Sequence, residues 1–319
     1  MAVALKISQK HKQVTLKSAL EEFIRFTNSK NRSEKTVQNY RKEFSKFMEW
    51  YGEDGDIHSI DSDVVISYIE YLKSQGSRKA VSINTALRHL KAIFNYWSLE
   101  KNYFPPFRIH MLETQEEPKD VYTNDQLSIL TKKPSKYNFQ ELRTWAIINF
   151  FVGTGCRVST LINILIKDID WDGNFITYRH TKSKKLQYIP ISPSLRKVLQ
   201  DWLEERGGES NDFLFPSEDD KQLYPTTVTH NIKAYIQKRG LDRDGNSHLF
   251  RHTYAKNWIL RGGDSIKLMH ILGHSSLDMV EHYANLYGHD LHIGFEDYDL
   301  LTSIAKNNTK LAVNNKKKR

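Results

Sequence analysis

Apolar positions recur at helical spacing through the first hundred residues, alternate briefly near the middle of the chain, and then return to helical spacing. Leu16, Leu20, Phe23 and Ile24 form the first stripe. A second follows Ser33, a capping residue type, with Val37, Tyr40, Phe44, Phe47, Met48 and Tyr51 on one face. A third helix fits Val64–Leu72, opened by Asp61 or Asp63 and closed near Gly76. Ile83, Leu87, Leu90, Ile93, Phe94 and Trp97 make a fourth. Four helices with short connections over 15–104 predict a bundle. Pro105-Pro106 ends it. Residues 108–120 (RIHMLETQEEPKD) have weak periodicity and mixed charge, the pattern of an interdomain linker.

Beyond the linker, helical patterns run over Asn124–Leu130 and Glu141–Val152, where Gly153-Thr154-Gly155 interrupts, and over Ser159–Ile166. Asn174–Arg179 and Gln187–Ile191, rich in aromatic and β-branched residues, read as strands on either side of a basic hairpin turn, Thr181–Lys185. Helical spacing resumes over 193–206, 226–238, 248–261, 264–272 and 276–286. The expected fold is mainly α with a small β-sheet. It comprises a helical domain (1–107), a linker (108–120), an α+β domain (121–295), and a C-terminal segment with a basic tail (296–319).

Composition narrows the function. The 319 residues are 39% hydrophobic and 27% charged, which suits two globular domains and excludes a collagenous or largely disordered chain. No apolar run approaches the ~20 residues of a membrane span. A single cysteine, Cys156, excludes an intramolecular disulfide and a cysteine-rich zinc site, and fits a cytoplasmic location. The net charge of +9 is unevenly placed. Residues 1–46 hold 11 basic and 4 acidic side chains, and residues 305–319 hold six basic and no acidic ones, whereas 119–304 balance at 23 of each. Such placement suits a polyanion, and equally a solubility charge.

Candidate chemistry sits in the second domain: Arg157 after Gly153-Thr154-Gly155-Cys156, Lys182 in the hairpin, His248 and Arg251 as His-x-x-Arg, His274 after Leu272-Gly273, and Tyr283 nine residues later. Each alone is an ordinary surface or core residue. In this order and spacing they resemble the tyrosine recombinase (phage integrase) family. Lys182 precedes Pro190 by eight residues in TKSKKLQYIP, as in that family's hairpin motif. LFRHTYAKNWILRGGDSIKLMHILGHSS resembles its most distinctive block, and SEKTVQNYRKEFSKFMEWY its core-binding domain. The resemblance extends over roughly residues 15–295.

The resemblance implies a site-specific DNA recombinase that clamps duplex DNA and works as a tetramer on paired sites, through a Holliday junction. Tyr283 would attack the scissile phosphate, forming a 3′-phosphotyrosyl bond and freeing a 5′-hydroxyl, with neither metal nor ATP required. Phosphoryl transfer needs a nucleophile, an acid and positive charge on the non-bridging oxygens. Arg157 and Arg251 would grip those oxygens, their guanidinium forks being poorly replaced by lysine. Lys182 would protonate the leaving oxygen, His248 would relay the nucleophile's proton, and His274 would donate to the phosphate. Gly153 and Gly155 are expected to turn the chain so that Arg157 meets a helix start whose N–H groups favour an anion. Thr160 stands where the family often has an acid, which either weakens the support of Arg157 or leaves it to another carboxylate, and Met279 and Val280 stand where the family often has small hydroxyl residues. These departures loosen the match to the Xer-type subgroup.

Tyr287 is the competing nucleophile, disfavoured by spacing. His270 and His274 are a conceivable metal pair without a third ligand, and His252 and His282 read as structural or surface residues. Cys156 reads as a core residue that its neighbour Arg157 would sensitise to alkylation. The chain begins some fifteen residues before its first helix, so a separate arm-binding domain is not expected. That favours a recombinase of a transposon, a small mobile element or a chromosome-resolution system, placed in the cytoplasm with the nucleoid. Phe295–Ile304 would dock on a neighbouring subunit. Integration, excision and dimer resolution, and use of an accessory directionality factor, stay open at this level. Two further readings are a DNA-binding architectural protein without chemistry, disfavoured because all six residues are present, and a type IB topoisomerase-like relaxing enzyme.

Overall fold

The computed structural model describes residues 14–114, 120–181, 186–274 and 276. The chain divides into two compact units between residues 115 and 116. Among the described residues no helix is long and apolar enough to cross a membrane.

The first unit is a bundle of α1 (Leu16–Ser29), α2 (Glu34–Tyr51), α3 (Ser62–Ser74) and α4 (Ala80–Leu99). The starts of α2 and α3 are capped as the sequence suggests. Ser33 accepts from the Thr36 N–H, and Asp61, rather than Asp63, accepts from the Asp63 and Val64 N–H groups at 2.9 Å each. The apolar stripes meet in one core. Phe44 and Trp97 are fully buried with their rings edge to face at 5.1 Å, and the Trp97 indole N–H donates to the Ala19 carbonyl at 3.1 Å, locking α4 to α1. Tyr40 and Tyr51 pack against this core from its partly exposed margin. The start of the expected linker belongs to the same unit. Ile109 is buried, and the Asn84 carboxamide holds both the N–H and the carbonyl of Leu112, at 2.8 and 2.9 Å. One buried apolar residue in a charged stretch is too weak a signal for periodicity to detect.

The second unit is built around α6 (Phe139–Thr154), preceded by α5 (Asn124–Thr131). α6 is buried nearly all round, as a central helix must be, and packs against α8 (Pro193–Arg206), α9 (Pro225–Lys238) and α10 (Ser247–Leu260). The four-residue α7 (Val158–Leu161) follows it, and α11 (Ser265–Leu272) follows α10. A three-stranded antiparallel sheet lies between α7 and α8: β1 (Ile169–Asp170), β2 (Phe175–Tyr178) and β3 (Gln187–Pro190). Its register pairs Ile169 with Ile176, Ile176 with Ile189, and Tyr178 with Gln187. Ile169, Ile176, Tyr178 and Ile189 face the core, while Phe175 and Tyr188 face outward. β1, two residues long, gives no alternation to read from sequence. Residues 277–286 of the expected last helix, the segment 296–319 and the turn residues 182–185 lie outside the described residues.

Candidate active site

The site begins where α6 ends. Gly155 takes a left-handed conformation (φ +62°), and its N–H closes the helix on the Phe151 carbonyl at 2.8 Å. A side chain is excluded there. A Cβ would lie 2.8 Å from Tyr254 Cδ1 and 2.9 Å from Leu272 Cδ2. Gly153 serves a different purpose from the turn expected of it. It has no positive φ, and a Cβ there would stand 3.2 Å from Leu195 Cδ2 of α8. After the turn Arg157 becomes the N-cap of α7. Thr160 and Leu161 close the first turn of α7, their N–H groups bonding the Arg157 carbonyl at 2.9 and 3.0 Å. Thr160 itself is buried.

α10 supplies the next residues. Asn246 caps it, accepting the His248 N–H at 3.0 Å. Tyr122 fixes the helix from the side, stacking on Phe250 at 4.5 Å while its N–H bonds the Thr253 hydroxyl at 2.9 Å. His248 and Arg251, three residues apart, share a face. His248 is exposed, one turn before the buried Arg251.

α11 ends in a Schellman turn. Gly273 is left-handed (φ +63°), the Gly273 N–H bonds the His270 carbonyl at 3.1 Å, and the His274 N–H reaches the Met269 carbonyl at 3.0 Å. That geometry turns the Leu272 carbonyl outward, where both arginines meet it. Arg251 Nη2 donates to it at 2.6 Å and Arg157 Nη1 at 3.1 Å. Arg251 Nη1 also donates to the Gly155 carbonyl at 3.0 Å, and Arg251 Nη2 lies 2.6 Å from His274 Nε2. Guanidinium only donates, so His274 Nε2 is the acceptor in this pair and the neutral ring carries its proton on Nδ1. The negative end of the α11 dipole adds to the attraction for two cations.

Three separate segments of the sequence thus converge on one turn, bringing Arg157, Arg251 and His274 together. Lys182 and Tyr283, with Tyr287, Met279, Val280 and His282, lie outside the described residues. His270 is exposed whereas His274 is buried, and no group of three metal-ligating side chains occurs among the described residues. His252 is half-buried, its ring 6.4 Å from that of His248. Cys156 is the core residue expected, without the expected sensitivity. It is buried, and burial pushes its thiol up to about 12, so its neighbour Arg157 does not activate it. Sequence reasoning did not identify three contributors. Two are the carbonyls of Gly155 and Leu272, which every residue type supplies. The third is Gln187, whose carboxamide lies against Gly273.

Known proteins resemble this chain over most of its length. The Phage integrase family matches residues 120–289, and the Phage integrase, N-terminal SAM-like domain matches residues 20–101. The tyrosine recombinase XerA of Pyrococcus furiosus is 27% identical over 299 residues, covering 92% of this chain and 98% of its own. The tyrosine recombinase XerC of Staphylococcus aureus is 23% identical, covering 82% and 89%. Among solved structures, the Tn1549 transposon integrase in complex with transposon right end DNA has a TM-score of 0.72 at 20% identity, covering 85% of this chain and 94% of its own. A lambda integrase dimer bound to a core site has a TM-score of 0.68 at 20% identity, covering 86% and 97%. With more than half its length matched by that family alone, the chain belongs to the phage integrase family.

Proposed function

We propose that this protein is a site-specific DNA recombinase that cleaves and rejoins strands through a 3′-phosphotyrosyl intermediate and a Holliday junction. The observation that carries the reading is the convergence of Arg157, Arg251 and His274 on the Leu272–Gly273 turn. A guanidinium has five N–H donors, so alignment by backbone carbonyls is compatible with contact to a phosphate. Two such groups, fixed before the DNA arrives, stabilise the charge that grows on the non-bridging oxygens without reorganising. His248, exposed on α10, takes the nucleophile's proton, and His274 donates to the same phosphate once its ring releases the Arg251 contact. Tyr283 attacks phosphorus, the bond to the 5′-oxygen breaks, and Lys182 delivers the proton to that oxygen. A second strand's 5′-hydroxyl reverses the exchange. One phosphodiester is traded for another, so the cycle uses no ATP and needs no metal.

In this reading residues 1–107 form the core-binding domain, 121–295 the catalytic domain, and 296–319 a segment for subunit contact and a basic tail. The partner is double-stranded DNA, and the working unit is a homotetramer on two sites in the nucleoid. Solved relatives of similar fold include a lambda integrase tetramer bound to a Holliday junction, which supports this assembly.

The test is covalent trapping on nicked duplexes tiled from DNA flanking the gene. The unmutated protein should give a protease-sensitive shifted band on a denaturing gel, and Tyr283→Phe should bind the same fragment without it. A band retained by Tyr283→Phe moves the nucleophile elsewhere. Specific binding with no band from the unmutated protein refutes strand transfer.

A further inference from the structure

Gln187 opens β3 and is paired with Tyr178 of β2. Its side chain leaves the sheet toward α11, where Nε2 donates to the His270 carbonyl at 2.7 Å. That carbonyl already accepts the Gly273 N–H, and its second lone pair takes the carboxamide. The same carboxamide lies against Gly273. A Cβ on that residue would stand 2.7 Å from Gln187 Nε2 and 2.8 Å from Oε1.

The turn is therefore gripped from two directions. The arginines hold it through the Leu272 carbonyl, and the sheet holds it through Gln187. A helix C-terminus left with only its own hydrogen bonds frays. Movement here would carry the Leu272 carbonyl and the His274 ring with it, and both orient Arg251. Catalytic rates fall steeply with misplacement of about 1 Å.

We propose that Gln187 is a positioning residue for the phosphate-binding cluster: it ties the Gly273 turn to β3 and so sets the two guanidinium groups. The proposal rests on the recombinase reading above. It needs a side chain of this length with a donor at its end. Asn is one methylene short, Glu would set a carboxylate against a carbonyl, and Met keeps the length and loses the donor.

The test is single-turnover cleavage by full-length Gln187→Met at saturating protein on three nicked duplexes, with melting temperature and DNA affinity measured alongside. One carries the ordinary scissile phosphodiester. One carries a methylphosphonate there, whose phosphorus centre is uncharged and demands less of the guanidinium groups. One carries a bridging 5′-sulfur, which leaves without a proton. The expected result is about tenfold slower cleavage of the ordinary and the sulfur substrates, about threefold or less on the methylphosphonate, and unchanged affinity. Gln187→Ala should repeat the pattern. Equal slowing on all three overturns the proposal in favour of a merely structural residue. Slowing that disappears on the sulfur substrate overturns it too, because the side chain would then act through the acid of the hairpin. Arg251→Ala separates this inference from its premise. If its defect is eased by the methylphosphonate and that of Gln187→Met is not, only the inference fails. If the defect of Arg251→Ala is not eased, the arginine's assigned role fails, and the inference with it.

Discussion

Replacing Gly155 by alanine tests whether the site is set by backbone geometry. Two costs add. The left-handed conformation (φ +62°) costs an L-residue roughly 1–2 kcal/mol. The new methyl would also stand 2.8 Å from Tyr254 and 2.9 Å from Leu272, where carbon atoms pack best at about 3.5–4.0 Å. Relieving such overpacking costs about 1–3 kcal/mol, so the total is about 2–5 kcal/mol. The strain also falls on the groups that hold Arg251. Gly155 supplies one of its carbonyl partners, and Leu272, the residue struck, supplies the other. Covalent attachment to DNA should slow by about tenfold or more. Gly240→Ala is the control. It lies in the same unit at φ +73° with nothing within 4 Å of the added methyl, so it bears the conformational cost alone. Urea unfolding followed by tryptophan fluorescence, together with trapping rates at saturating protein, measures both variants. If Gly155→Ala is no more destabilising than Gly240→Ala and cleaves DNA normally, the account of this turn is wrong.

Further expectations follow from other residues. Arg251→Lys should lose about a hundredfold or more in cleavage rate, because one ammonium cannot span the Gly155 and Leu272 carbonyls and a phosphate together; a rate within threefold of the unmutated protein would remove Arg251 from the chemistry. Cys156, with its thiol raised from 9.0 to about 12, should carry about a thousandfold less thiolate at pH 8 than an ordinary cysteine and resist iodoacetamide until the protein unfolds. Ordinary labelling of the folded protein by mass spectrometry would contradict this. Because that pKa is raised by folding, its contribution to stability is complete below about pH 9 and is lost as pH rises toward 12, so Cys156→Ala should show a shallower alkaline decline in unfolding free energy. Asp168 is buried and accepts from Arg179 Nε at 2.6 Å and the Leu165 N–H at 3.0 Å. Arg179→Ala, which leaves that carboxylate without its cation, should cost about 3 kcal/mol, and Asp168→Asn about 1 kcal/mol. The reverse order in urea unfolding would refute the pairing.

Much of the architecture was legible because burial imposes a period. The stripes of α1, α2 and α4 were readable residue by residue, and Ser33 and Asp61 act as caps because their short acceptors reach the first N–H groups. α6 was readable as a helix but not as the centre of its unit, since a helix buried on all sides has no polar face to orient it. β1 was too short to alternate. The charged stretch after Pro106 gave no sign that Asn84 would fasten Leu112.

The sequence alone determined which chemical groups are present and in what order: two arginines, two histidines, a lysine and a tyrosine at spacings that resemble one family. Tertiary structure decided how the described members are held. Arg157, Arg251 and His274 meet because the Schellman turn at Gly273 exposes the Leu272 carbonyl and the tight end of α6 offers the Gly155 carbonyl. A backbone carbonyl belongs to every residue, so its role has no signature in the amino-acid code. Gln187 escaped notice for the same reason, since a carboxamide acquires a purpose only when a β-strand brings it to a helix end. Side-chain identity is written in the sequence, whereas direction and distance arise only when distant segments pack.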